Sequence, residues 1–417
     1  MLFKRESYLQ KLKEAQGNGM IKIITGIRRC GKSFLLFDIF YRYLRERGVP
    51  DKQIIRIDLE DRRNQNLRNP DNLLQYIDSN IIGDQHHFVF IDEIQLVPEF
   101  EDVLNSYLKM SNVDVYVTGS NSKFLSTDVI TEFRGRGWEI RVRPLSFAEY
   151  YEERGGDKHE ALIAYYLYGG LPGAVVLESD EQKQNYLRNV YETAYLRDVI
   201  DRNHLQNKEG LREMVRILAS DIGTSTNIRR LVNTFKSEAN MAISPNTIQS
   251  YLSYLQDAFV ISEALRFNVK GRKYIGTETK YYFEDTGIRN AAIGFRQVEY
   301  NHVMENVVYN ELRLRHFNVD VGQVDVFERD KEGKLLRKNL EIDFVVNRGS
   351  ERIYLQSAYR IPDHEKWLQE QRPLINVKDA FKKVIIEDEY RLPHYNEQGV
   401  YVTGLFDFLL NPNSLNM

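Results

Sequence analysis

Between Met20 and Arg47 an apolar run, a glycine-bounded loop and a helical pattern follow one another, and few folds accommodate that succession. M-I-K-I-I-T (Met20–Thr25) predicts a short buried strand. G-I-R-R-C-G-K-S (Gly26–Ser33) matches the phosphate-loop pattern G-x-x-x-x-G-K-[ST] at every fixed position. K-S-F-L-L-F-D-I-F-Y-R-Y-L-R-E-R (Lys32–Arg47) predicts a helix that begins inside the loop. A strand feeding a glycine loop that opens a helix surrounds a phosphate with backbone N–H groups, here those of Ile27, Arg28, Arg29, Cys30 and Phe34 among others. Lys32 is expected at the β- and γ-phosphates of a nucleotide and Ser33 at its Mg²⁺. Gly26 and Gly31 allow torsions and a close approach that a side chain would prevent.

The second constraint is H-F-V-F-I-D-E (His87–Glu93), four apolar residues running into two acids. It predicts a buried parallel strand whose carboxyl end delivers carboxylates to a nucleotide pocket. Asp92 is expected to orient the Mg²⁺ shell and Glu93 to polarise the attacking water. Two acids alone also suit a solvated strand end; the upstream loop decides for the nucleotide. A third strand, V-D-V-Y-V-T-G-S-N-S (Val113–Ser122), ends in small polar residues, of which Ser120 or Asn121 would sense the γ-phosphate or simply form a turn. In F-R-G-R-G-W (Phe133–Trp138), Arg134 and Arg136 are candidate arginine fingers, in cis or across the interface of a homo-oligomer, or else surface arginines near a glycine turn.

These elements resemble the additional-strand P-loop ATPases of AAA+ type. The resemblance rests on Gly26–Ser33, Asp92–Glu93 and the polar strand end at Ser120–Asn121, and it implies ATP and Mg²⁺ as ligands and ATP hydrolysis as the activity. A GTPase fits less well, because no N-K-x-D string is present; Asn376-Val377-Lys378-Asp379 has the wrong spacing and position.

A chain of 417 residues suggests two to four domains, each able to bury a core. No apolar run approaches a membrane span, and M-L-F-K-R-E-S-Y lacks a signal-peptide core, so a cytoplasmic protein without a membrane partner is expected. The single cysteine, Cys30, precludes an intramolecular disulfide and fits a reducing compartment; inside the loop it is a filler residue or an oxidation-sensitive switch. The formal net charge of −3 excludes a chain that is basic throughout, so any contact with double-stranded DNA must come from a local patch.

Along the chain, Met1–Gly19 predicts a helical lead-in, Gln53–Leu59 a second strand, Glu60–Pro70 a polar loop, and 71–82 and Pro98–Met110 helices. Trp138–Val142 gives a fifth strand closed by Pro144, and Ser146 the N-cap of the helix that follows. Alternating strands and helices imply a parallel sheet covered on both faces. Residues 1–155 are therefore assigned to the ATPase domain. Tyr165–Gly173 and the long amphipathic helix Gln182–His204 belong to a helical lid over 156–206.

Beyond Gly210 the pattern changes. Helices at Leu211–Ser220, Thr226–Phe235 and Ser244–Gln256, with Pro245 at the first helical position, precede a strand pair that turns near Gly271. This looks like a winged helix-turn-helix over 207–279. Its recognition helix carries no lysine or arginine, and the basic charge sits in the wing at Arg266, Lys270, Arg272 and Lys273, so DNA and a protein partner both remain open. From 280 to 417, Glu305 in a helix, Asp343 in L-E-I-D-F-V-V and the strand I-Y-L-Q-S-A-Y resemble a PD-(D/E)xK, restriction-endonuclease-like α/β core. There Gln356 and Ala358 replace the glutamate and lysine of that pattern, which predicts an inactive nuclease site.

The chain as a whole resembles a group of bacterial and archaeal AAA-type ATPases with an uncharacterised C-terminal domain. The phrases that carry this are G-I-R-R-C-G-K-S, F-I-D-E-I-Q, V-T-G-S-N-S, R-P-L-S-F-A-E-Y, Y-G-G-L-P, Y-L-R-D-V-I, T-I-Q-S-Y-L-S-Y-L, Y-Y-F-E-D-T-G and E-N-V-V-Y-N-E-L. It implies an ATPase whose turnover acts on a partner such as DNA, or a nucleotide-gated adaptor for a protein.

Overall fold

The computed structural model describes residues 3–119, 135–296, 298–329 and 334–416, and in it the chain divides into two units. The first takes Met1–Pro144 with Leu171–Val176 and Asp257–Phe259; the second takes Leu145–Gly170, Leu177–Gln256 and Val260–Met417.

The first unit is built on five strands: β1 (Ile21–Thr25), β2 (Ile54–Asp58), β3 (His87–Asp92), β4 (Val113–Thr118) and β5 (Gly137–Arg141). They lie in the order β2-β3-β4-β1-β5, and every pairing is parallel. β4 is thus inserted between the strand that feeds the glycine loop and the strand that ends in acids. β1, β3 and β4 are buried at every position, as central strands covered on both faces must be, whereas the edge strands β2 and β5 have exposed positions.

The two faces differ in chemistry because alternate residues point opposite ways. On one face Ile23, Ile57, Val89, Ile91 and Val117 pack with Leu73 and Ile77 of helix Pro70–Asn80 and Val103 and Leu104 of helix Phe100–Tyr107. On the other, Phe40 from the helix after the loop meets Phe90 at 5.7 Å and Tyr116 at 5.0 Å between ring centroids. That helix runs Lys32–Phe34, widens to a π-helical stretch over Leu35–Phe40, and resumes at Tyr41–Glu46. Lys22 of β1 and Asp114 of β4 form a buried ion pair within the sheet, and the Tyr116 hydroxyl donates to Asp114 at 2.8 Å.

The second unit begins with the expected cap: Ser146 and Glu149 form a reciprocal capping box on helix Phe147–Arg154. Helix Lys158–Tyr168 ends against the phrase E-D-T-G. The Thr286 hydroxyl donates to Tyr165 O at 3.0 Å, and the Asn290 amide donates to Tyr166 O at 2.8 Å and Leu167 O at 2.9 Å. Carbonyls that a helix terminus leaves unpaired are satisfied by side chains of Thr286–Ala292, a helix capped by Asp285. A Cβ on Gly287 would stand 2.2 Å from Tyr168 O, so only glycine permits that approach.

Helices Lys208–Ser220, Ile228–Ser237 and Pro245–Asp257 form where the sequence predicts them. The hairpin after them, β6 (Ile261–Asn268) and β7 (Lys273–Phe283), is not a free-standing wing. It joins β8 (Asn318–Arg329), β9 (Leu335–Arg348), β10 (Glu351–Ala358), β11 (Lys382–Glu387), β12 (His394–Tyr395) and β13 (Tyr401–Gly404) in one mixed sheet of order β12-β13-β11-β10-β9-β8-β6-β7. The junction is a parallel pairing of β6 with β8, Arg266 opposite Val321 to Asn268 opposite Gln323. A boundary between 279 and 280 would fall inside β7. The division into a winged helix at 207–279 and a separate domain at 280–417 is corrected accordingly. The cause is non-local pairing, which leaves no local sequence pattern. The segment 156–206, expected as a lid on the ATPase domain, falls in the second unit except for Leu171–Val176.

Candidate nucleotide site

The loop follows β1 directly. Gly26 has φ 137°, and a Cβ there would stand 2.0 Å from Val142 O, so the chain closes onto the end of β5 only because glycine has no side chain. Arg29 and Gly31 also take left-handed torsions, turning the loop back into its helix. Cys30 is buried with its Sγ 3.4 Å from Val142 O, and burial pushes its thiol up, away from the thiolate that oxidation requires.

Lys32 is buried, with Nζ donating to the loop carbonyls of Gly26 at 3.0 Å and Ile27 at 3.2 Å. One residue on, Ser33 Oγ donates to Asp92 Oδ1 at 3.0 Å. Asp92 ends β3, where the register sets it opposite Asp58 of β2. The Thr118 hydroxyl at the end of β4 also donates to Asp92 Oδ1, and accepts from the Glu93 backbone N–H at 3.0 Å. Burial pushes the Asp92 carboxyl above its usual range; the hydrogen bonds from Thr118 and Ser33 pull it down, and the charges of Glu93 and Asp58 push it up. A buried carboxylate with a serine hydroxyl beside it and other acids near it is a donor set of hard oxygens, which suits Mg²⁺. Glu93 stands in a left-handed conformation (φ 50°, ψ 50°), and its carboxylate accepts from the Gln95 side-chain amide.

The structure thus brings together Gly26–Phe34, Asp92 and Glu93 at the carboxyl ends of β1, β3 and β4 within one unit. Arg136 is exposed just before β5, its carbonyl accepting from Ile21 N at 2.9 Å. Asn121, Ser120 and Arg134 lie outside the described residues. Lys270, Arg272 and Lys273 are exposed at the β6–β7 turn of the other unit, where Lys270 Nζ contacts Asp325 O. Thr118, which no motif marks, also contacts both acids. Its signal in the sequence is a hydroxyl residue ending the buried strand V-D-V-Y-V-T.

Of the two acids expected of a nuclease-like pattern, Asp343 feels the charge of Glu305. The Asp343 N–H donates to Gln356 Oε1 at 3.3 Å, and Asp343 accepts from Ser357 N at 2.8 Å. Lys280 Nζ of β7 lies 2.9 Å from Glu305 Oε1 and 2.8 Å from Glu341 Oε1.

A five-stranded parallel sheet with its inserted strand, a glycine loop and an acid-ended strand define a P-loop nucleotide-binding domain, and residues 18–151 match the family described as AAA domain. Residues 159–299 match a domain of unknown function, DUF8612. The chain belongs to one protein family with an uncharacterised protein of Haemophilus influenzae, to which it is 32% identical over 416 residues, 98% of this chain and 99% of that one. An uncharacterised protein of Methanocaldococcus jannaschii is 27% identical over 392 residues, 91% of this chain and 83% of that one. Among solved structures, the Aeropyrum pernix ORC1 protein in complex with DNA aligns with 70% of this chain and 92% of its own at 14% identity and a TM-score of 0.31. Among the described residues no helix is long and apolar enough to cross a membrane.

Proposed function

We propose that the chain is an Mg²⁺-dependent ATPase in which nucleotide turnover acts on a bound partner. The observation that carries this reading is the convergence of Ser33 and Asp92, 3.0 Å apart, beside the buried Lys32 at the carboxyl end of the sheet. The loop N–H groups of residues 26–34 hold the phosphates, and Lys32 exchanges its two loop carbonyls for the β- and γ-phosphate oxygens. Ser33 and Asp92 hold Mg²⁺, which when bound neutralises charge on the phosphate oxygens. Glu93 orients and polarises the attacking water, with Thr118 fixing the backbone of Glu93 and the carboxylate of Asp92. Arg136 or Arg134 serves as the arginine finger, in cis or from a second copy, and Asn121 contacts the γ-phosphate or the water.

Steady-state ATP hydrolysis by wild type and Glu93→Gln, each with and without double-stranded DNA, tests the assignment. Loss of turnover with ATP binding retained identifies Glu93 as the base; unimpaired turnover in the variant refutes that role. DNA stimulation would implicate Lys270, Arg272 and Lys273. A second reading, a nucleotide-gated adaptor for a protein partner, draws support from the wing chemistry. Arg266 pairs with Glu278 and, at 3.4 Å, with Glu341, and Lys270 is engaged by Asp325 O, so part of the basic charge is satisfied within the chain. Hydrolysis insensitive to DNA favours it. In either reading the C-terminal acids are structural and not nucleolytic, with Lys280 supplying the cation among them.

A further inference from the structure

The second unit holds a cavity of about 730 Å³ that the nucleotide site does not use. Five arginines line it (Arg188, Arg212, Arg216, Arg289 and Arg296) against two glutamates, Glu192 and Glu299, so positive charge is in excess. The arginines are not equivalent. Arg212 is held by Glu192 at 2.6 Å, and Arg216 leans on Glu213 at 3.4 Å. Arg188, Arg289 and Arg296 make no ion pair with a carboxylate among the described residues.

Arg289 is the telling one. Its helix Thr286–Ala292 is buried along its whole length, and the side chain is only 1% exposed. Nε donates to Ala219 O at 2.6 Å and Nη1 to Asn290 Oδ1 at 3.0 Å, both neutral acceptors, while Nη2 has no acceptor among the described residues. Burial pushes this guanidinium down to about 10, partly offset by the charge of Glu299, which leaves it a full cation at neutral pH. A buried cation held only by neutral groups is costly unless an anion completes it. Arg188 is steadied by stacking 5.4 Å over the Phe295 ring, which pre-orders a second guanidinium. Ala291, Ala292, Ile293 and Tyr191 supply an apolar wall.

We propose that this cavity binds a small oligophosphate ligand, with Arg289 at its base and Arg188 and Arg296 closing over the phosphate oxygens. The planar guanidinium fork matches phosphate oxygens two at a time. Three unpaired arginines call for a ligand with more than one negative charge. The volume lies within the range of about 300–1,000 Å³ usual for small-molecule sites.

The test uses the full chain carrying Lys32→Ala, which removes the phosphate-loop lysine, titrated with inorganic pyrophosphate by calorimetry. One saturable site is expected, weakening as salt is raised. Adding Arg188→Ala and Arg296→Ala, both exposed positions whose truncation leaves the core intact, should weaken that site at least tenfold. Arg289→Met should abolish it. The proposal is overturned if Lys32→Ala protein shows no pyrophosphate binding, if binding survives the Arg188/Arg296 pair unchanged, or if a duplex oligonucleotide binds there and pyrophosphate does not displace it.

Discussion

Lys280→Met is the sharpest probe of what holds the large sheet together. The Lys280 side chain is 4% exposed and its ammonium lies 2.9 Å from Glu305, 12% exposed, and 2.8 Å from Glu341, 34% exposed. The Tyr282 hydroxyl also donates to Glu305 at 2.6 Å, and Asp343 lies within the same field of charge. Methionine keeps most of the length and removes the charge, leaving the half-buried Glu305 and Glu341 and the buried Asp343 without their cation. Removing one member of a buried pair costs about 3–5 kcal/mol. Because Glu341 is a third exposed and can be rehydrated, the lower end, about 3 kcal/mol, is expected. With a urea slope of about 1–3 kcal/mol/M, the midpoint should fall by about 1–3 M. The chain has two tryptophans, Trp138 and Trp367, and only Trp367 belongs to the second unit, so its fluorescence in a Trp138→Phe background reports this transition alone. The pH dependence sharpens the test. Burial and the Glu305 charge raise the Asp343 carboxyl well above its ordinary value, with Lys280 opposing them, and the variant loses that opposition. A carboxyl whose folded value is raised favours the fold below its unfolded value, about 3.9, and that stability is lost as pH rises through the folded value. Burial alone would lower Lys280, but the charges of Glu305, Glu341 and Asp343 raise it overall, so its own contribution stays in place until strongly alkaline pH. The penalty of Lys280→Met should therefore grow from mildly acid to neutral pH. A midpoint loss below about 0.5 M, or a penalty that shrinks with rising pH, would refute the reasoning.

Gly26→Ala forces a Cβ onto Val142 O at a strained torsion, and the loop must open to admit it. ATP affinity is expected to fall at least tenfold, about 1.4 kcal/mol, measured by fluorescent-nucleotide displacement; unchanged affinity would show that the loop tolerates displacement. Phe40→Ala removes a fully buried ring from the Phe90–Tyr116 cluster and should cost about 3–5 kcal/mol in thermal or urea unfolding of the first unit, with Trp138 as reporter.

The site was legible where chemistry is local. The loop from Gly26 to Ser33 and the acids at Asp92–Glu93 announce themselves because each needs particular residues at fixed spacing next to a strand end. The Ser146 cap and the Pro245 helix start were legible for the same reason. The π-helical stretch at Leu35–Phe40 was not, since its apolar residues fit an ordinary helix equally well. Lys280 was hidden by distance: its partners lie 25 and 61 positions downstream, and only the pairing of β6 with β8 gathers the strands of Lys280 and Glu341 into one sheet. Arg289 was hidden by neutrality of pattern, a single arginine in a short helix whose burial only the fold reveals.

The shared hairpin also bears on how such a protein can be inherited. A gene rearrangement with its junction near residue 280 would strip β6 from β8 and leave β8 as a naked sheet edge, open to pairing with other chains. The helices upstream of Ile261 and the strands downstream of Asn318 are bound to one another through two strands that neither region can surrender. They can drift in sequence, but they can be transplanted only as one piece.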